Sequence, residues 1–147
     1  MEFVYDDGGR AAAGYKGNTG DCVTRAVAIA TGLDYQGVYD ALNDSAQAER
    51  PRDGRKRSRA RTGIKKPTTR KYLASIGWDW TPTMFIGSGC RVHLRADELP
   101  GGRVIASCSK HIVAVIDGVI HDTASGVDRD GTRAVYGYWT PPKEETQ

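Results

Sequence analysis

The sequence predicts an α+β fold, with helices in its first half and an antiparallel sheet in its second. Apolar residues recur with a helical period up to about residue 76, and from Trp78 onward short β-branched and aromatic runs alternate with turn residues. With 147 residues, 39% of them hydrophobic, the chain has the length of one domain and enough apolar side chains for one core. Wholesale disorder is thereby excluded.

Met1 to Gly20 is Gly-rich and polar and reads as an irregular lead-in. The first strong element runs from Asp21 to Thr31, with Asp21 as the expected N-cap and Gly32 as the left-handed stop. Val23, Val27 and Ala30 share one face, flanked by Ala26 and Ile29, which predicts a buried central helix. A second helix is expected from about Asp34 to Ser45, on the spacing of Val38, Ala41 and Leu42 with Tyr35 and Tyr39 alongside. Residues 48–67, AERPRDGRKRSRARTGIKKP, lack periodicity and are nearly devoid of apolar residues, so they read as an exposed, mobile loop inside the domain.

A short third helix, Thr68 to Ile76, closes at Gly77. Strands are expected at Trp78–Met84, Arg91–Leu94, Arg103–Cys108, His111–Ile116, Val119–Thr123 and Arg133–Trp139, with a helical turn at Ala96–Leu99. Asp117-Gly118 between two of these strands is the dipeptide of a two-residue type I′ turn. That turn pairs residues whose numbers sum to 235 and makes His111 and Asp122 diagonal neighbours on one face. His121 points to the other face.

The net charge of +3 hides an uneven distribution. Arg50 to Lys71 holds eleven Lys or Arg and one acid, a local net of +10, whereas the other 125 residues hold 10 basic and 17 acidic residues, a net of −7. No apolar run approaches a membrane span of ~18 residues and no basic-then-apolar leader opens the chain, so a soluble, cytoplasmic protein without a membrane partner is expected. Cys22, Cys90 and Cys108 form an odd set without a CxxC pair, which favours free thiols over disulfides. Cys90 and His93 are close in sequence, but no second such pair completes a zinc site, and neither metal nor cofactor is expected.

Cys22 stands in the first turn of a helix, where the macrodipole and unpaired backbone N–H groups favour a thiolate. A histidine such as His111 would take the thiol proton and return it to a leaving group, and a carboxylate such as Asp122 would fix the imidazole tautomer. Asp21 cuts the other way, because its charge beside Cys22 opposes the thiolate. A Cys on an apolar helix is more often core filler than nucleophile, so the conjunction of the three residues carries the catalytic reading. Cys108 reads as core, Cys90 as more exposed and without a role, and Trp78, Trp80 and Trp139 as packing residues, one of which could line a groove.

GNTGDCVTRAVAIATG followed by HIVAVIDGVIHDT resembles the papain-like cysteine peptidase superfamily, in particular its small bacterial branch typified by the leader-peptidase domains of bacteriocin exporters. The closing YGYW and the segment GCRVHLRADELP are similar to small phage and bacterial proteins. The resemblance rests on under a quarter of the chain. It implies a papain-like fold, with the Cys helix central against a C-terminal antiparallel sheet. It also implies Cys22 as nucleophile, His111 as general base and Asp122 as orienting acid. The superfamily carries an oxyanion-binding Gln six residues before its Cys; here Lys16 stands there, and Asn18 is the nearest amide. Loss of an oxyanion donor costs on the order of 100–1000-fold in rate, so Asn18 or Lys16 would have to serve.

In the basic segment, Arg52, Arg55, Lys56, Arg57, Arg59, Arg61, Lys65 and Lys66 are the candidates for binding phosphate or an acidic partner. The segment lacks aromatic residues for base stacking, so any nucleic-acid contact would be to the backbone and salt-dependent. Two functions therefore compete. The first is a cysteine hydrolase cleaving a peptide or isopeptide-type amide of a protein or peptide substrate. The second is a catalytically inert protein that holds nucleic acid or an acidic protein through the segment. Acyl transfer by the same triad is a third outcome, and the oligomeric state is left open.

Overall fold

A computed structural model describes residues 1–16, 20–49, 57–85, 87–123 and 131–143. Among these, three helices and six strands form an α+β architecture on one mixed sheet. The order along the chain is β1 (Glu2–Tyr5), α1 (Cys22–Thr31), α2 (Tyr35–Gln47), α3 (Lys66–Ser75), β2 (Asp79–Pro82), β3 (Arg103–Cys108), β4 (His111–Ile116), β5 (Val119–Asp122) and β6 (Val135–Thr140). Across the sheet the strands run β1-β5-β4-β3-β6-β2. The helices precede most of the sheet, as expected, apart from β1 at the N-terminus.

The lead-in is not wholly irregular. Glu2–Tyr5 forms an edge strand parallel to β5, so the sheet is mixed rather than antiparallel throughout. Arg91–Leu94 is not a strand; it contributes a single antiparallel pairing, His93 with Ala134. Its Leu94, together with Leu99 further on, instead packs against the sheet and is buried. The third helix starts at Lys66, two residues before the expected Thr68, because Pro67 suits a first helical turn that needs no N–H.

β3 and β4 are almost continuously apolar because both of their faces are covered. Ile105, Ile112, Ala114 and Trp139 pack with the helical residues Val27, Leu42 and Leu73 on one side. Val104, Val113, Val115 and Ile120 pack with Leu94 and Leu99 on the other. α1 is the central helix, and seven of its ten residues are buried, including the polar Thr24 and Arg25. Gly32 ends it at φ 75, and Arg103 Nη1 donates to the terminal carbonyls of Ala30 and Thr31, 3.1 Å each.

The basic segment is not a uniformly exposed loop. Residues 50–56, with Arg52, Arg55 and Lys56, lie outside the described residues. Beyond them the chain makes a tight Arg59–Gly63 turn that buries Ala60 at 1% exposure and Ile64 at 9%. Thr24 on α1 donates to the Ala60 carbonyl, 3.2 Å, and the Ala60 amide donates to Asn43 on α2, 2.8 Å. The Ala60 backbone, with the buried Ala60 and Ile64 side chains, thus anchors a charged stretch to both helices.

Among the described residues, no helix is long and apolar enough to cross a membrane.

Candidate active site

The β4–β5 hairpin sets the geometry. Asp117 and Gly118 have φ 49 and φ 78, the paired left-handed conformations of a type I′ turn. Ile116 pairs with Val119 and Ala114 with His121, the register expected from the turn. At the open end of the hairpin His111 Nε2 lies 2.8 Å from Asp122 Oδ2. His121, the neighbour of Asp122, instead lies beside Asp6, 3.6 Å away.

Cys22 opens α1 and meets this pair from the helical side. Its thiol stands near enough to the His111 ring and the Ile112 amide for both to stabilise the thiolate. Because Nε2 of His111 is committed to Asp122, Nδ1 is the nitrogen left for the sulfur. Cys22, His111 and Asp122 are therefore contiguous, although 89 residues separate the first two in sequence.

The electrostatics favour an ion pair of thiolate and imidazolium. Burial pushes the Cys22 thiol up, but hydrogen bonding and charge from His111, the Ile112 amide and Arg25 together bring it below its ordinary value. Burial opposes the His111 cation, yet hydrogen bonds to Asp122 and Cys22 and their charges raise it to about 9. Burial likewise opposes the Asp122 carboxylate, and His111, the Thr123 amide and Arg25 outweigh it, so its pKa falls.

Asp21 is the main departure at the site. Its side chain makes no capping bond to α1. It is buried at 1% exposure and turned instead to Arg25, Tyr35 and Arg10. Tyr35 donates its hydroxyl at 2.6 Å, and Arg10 Nε lies 3.6 Å away. Arg25 donates Nη1 to Asp21 and Nη2 to Asp122, the latter at 3.2 Å. The Asp21 charge is thus compensated within its own network and does not stand unopposed beside Cys22. Burial alone would lower the Arg25 pKa, but Asp21 and Asp122 raise it. Sequence reasoning passed over Arg25, whose only signal was a charged residue on the buried face of a helix.

A cleft of about 200 Å³ opens beside the triad, with Cys22 and His111 in its lining. Val23, Ile64, Ile112 and Trp139 supply apolar walls, so Trp139 is the tryptophan that faces the groove. Lys66, from the basic segment, also lines it.

The remaining candidates lie elsewhere. Lys16 is exposed, is not part of the cleft lining, and its carbonyl accepts from Arg61 Nη2 at 3.0 Å. Asn18 is outside the described residues. Arg59 and Arg61 line a separate polar groove with Tyr39, Asn43, Gln47 and Thr62. Arg57 Nε donates to the Glu49 carbonyl at 2.9 Å, and Lys65 is exposed at the start of α3.

Cys108 is buried, as expected of a core thiol. Cys90 is exposed, and its sulfur lies 3.4 Å from His93 Nε2, while His93 Nδ1 lies 3.1 Å from Glu98. Among the described residues, no group of three or more His, Cys, Asp or Glu is arranged to hold a metal ion. No protein-family model, curated protein or solved structure matches the chain.

Proposed function

We propose that the protein is a cysteine hydrolase of papain-like type that cleaves a peptide or isopeptide-type amide. The observation that carries this reading is the placement of His111 between the Cys22 thiol and the Asp122 carboxylate. Cys22 would attack the scissile carbonyl as a thiolate, forming a thioester and expelling the amine. His111, protonated in the resting pair, would give its proton to that amine and then deprotonate the water that hydrolyses the thioester. Asp122 orients the ring and stabilises its cation throughout. The Cys22 backbone N–H, at the first position of α1 where helical amides lack an intrahelical acceptor, would donate to the oxyanion.

Alkylation of Cys22 by iodoacetamide across pH tests the nucleophile directly. The rate should reach its plateau below the ordinary thiol range and the midpoint should move up in His111→Ala. A midpoint near 8.5 or above that ignores His111→Ala removes the activated nucleophile.

The groove lined by Arg59 and Arg61 favours a second reading, in which the protein binds phosphates or an acidic partner through this face without catalysis. Such binding to a generic DNA duplex would weaken steeply between low and moderate salt. It would also survive Cys22→Ala.

A further inference from the structure

We infer that the cleft beside Cys22 selects substrates carrying a carboxylate next to the scissile amide, held by Lys66 and Lys110. This rests on the hydrolase reading of the triad. Apart from His111, the charged side chains lining the cleft are these two lysines, and no Asp or Glu is among its described lining residues. They come from different elements: Lys66 begins α3, and Lys110 is the residue before His111 in the β3–β4 loop. Neither forms an ion pair with a carboxylate among the described residues. Lys66 Nζ lies instead over the Tyr136 ring, 4.7 Å from its centre. Two cations with no carboxylate partner among the described residues, beside a largely apolar recess, are complementary to a substrate that brings its own carboxylate next to the scissile amide.

The backbone at Lys110 adds an independent observation. Cys108 pairs with His111, so Ser109-Lys110 is a two-residue loop, and Lys110 adopts φ 56. This left-handed conformation suits Gly or Asn, and a lysine there is strained. Glycine would relieve the strain but would remove a charge from the cleft mouth. Strain retained beside a reactive group is consistent with a role for the side chain. The cleft's modest volume of about 200 Å³ suits one flanking side chain rather than an extended ligand.

Three haloacetyl probes of matched size test the inference on a Cys90→Ser background, which leaves Cys22 and the buried Cys108. They are chloroacetyl-glutamine amide, which is neutral, chloroacetyl-glutamate amide, with a side-chain carboxylate, and chloroacetyl-glutamine free acid, with a terminal one. In each the Cys22 sulfur forms a bond to the probe's CH₂, and chloride leaves with the electron pair of the broken bond. Rates are read by mass spectrometry and divided by those of N-acetylcysteine amide. At least one acidic probe should exceed the neutral probe by about fivefold to tenfold at low ionic strength, and salt should shrink the ratio. Preference for the glutamate amide assigns a side-chain carboxylate, and preference for the free acid assigns a chain terminus. Lys66→Met combined with Lys110→Gly should bring the ratio close to one. Lys110→Gly alone should lower it without lowering Tm, which separates lost charge from lost folding. Equal rates for all three probes, or a preference that survives the double variant, overturns the inference. Cys22 rates no faster than the reference thiol and indifferent to His111→Ala would instead sink the nucleophile, with the preference among probes still readable.

Discussion

Arg25 Nη2 lies 3.2 Å from Asp122 Oδ1, on the side of the carboxylate away from His111. The same guanidinium grips Asp21 through Nη1, so one buried cation ties the start of α1 to the end of β5. Its Nε is buried without a hydrogen-bond partner among the described residues, which leaves the two carboxylates to set its orientation. Arg25→Met should therefore destabilise the fold by about 3–5 kcal/mol, because two buried carboxylates lose their shared counter-charge. Arg25→Lys should recover only part of this, since one ammonium cannot copy a planar two-nitrogen grip. Urea unfolding measures both, and a methionine variant that unfolds at the wild-type midpoint contradicts the assignment.

The His111–Asp122 contact was legible from the sequence because its geometry is local. Asp117-Gly118 sets the hairpin register, and register alone brings Asp122 to His111. Cys22 was legible because the left-handed Gly32 and the apolar spacing before it bound a short helix. The buried role of Asp21 was not, because a capping residue and a buried ion-pair partner look alike until Arg10, Arg25 and Tyr35 converge on it. β1 was missed for a related reason: its four residues are mostly exposed, and its pairing is with a strand more than 100 residues away. Ala60 and Ile64 show the reverse error, since flanking arginines and lysines masked two anchors of the chain against α1 and α2.

The Cys22–His111 pair makes stability depend on pH in opposing ways. Folding raises the His111 pKa from 6.5 to about 9, so its stabilisation is complete below 6.5 and is lost as pH rises towards 9. Folding lowers the Cys22 pKa below 9.0, so that group's stabilisation grows as pH rises and is complete above 9.0. Cys22→Ser removes the second contribution but leaves His111 on Asp122. Between pH 6.5 and 9, Tm of Cys22→Ser should therefore fall more steeply than that of the wild type. Parallel Tm profiles would show that the two groups are not coupled. On the acid side both proteins should weaken below about pH 4, as Asp122, held below 3.8, is forced to protonate.

Gly137 on β6 makes room for an aromatic pair under the cleft. Trp80 and Trp139 have ring centres 4.4 Å apart, and a Cβ on residue 137 would overlap the Trp80 ring and sit 2.9 Å from the Thr81 carbonyl oxygen. The clash is with a large ring and with backbone, neither of which yields easily. Gly137→Ala should destabilise by about 3 kcal/mol, a fall in Tm of roughly 6–12 °C. Tryptophan fluorescence should change with it, because Trp80 must leave Trp139. A Tm within about 2 °C of the wild type would refute this packing role.

Asp122→Asn probes the tautomer of His111. Asp122 Oδ1 accepts from Arg25 Nη2 at 3.2 Å and from the Thr123 amide at 2.7 Å, whereas Oδ2 faces His111. An asparagine in this place will keep its oxygen at the doubly donated position, because its NH₂ there would face two donors. The NH₂ then points at His111 Nε2, which must accept and so cannot carry the proton. The neutral imidazole is left with its proton on Nδ1, aimed at Cys22, and can no longer take the thiol's proton. Reactivity of Cys22 near neutral pH should fall by at least about 100-fold, and amide hydrolysis by up to about 10⁴-fold. Asp122→Ala lacks the misdirected donor and leaves His111 free to choose its tautomer, so it should retain more Cys22 reactivity than Asp122→Asn once corrected for folded fraction. Alkylation kinetics of the two variants at pH 7, with folding followed by circular dichroism, decide the matter. Equal losses in both would mean that Asp122 acts through its charge alone.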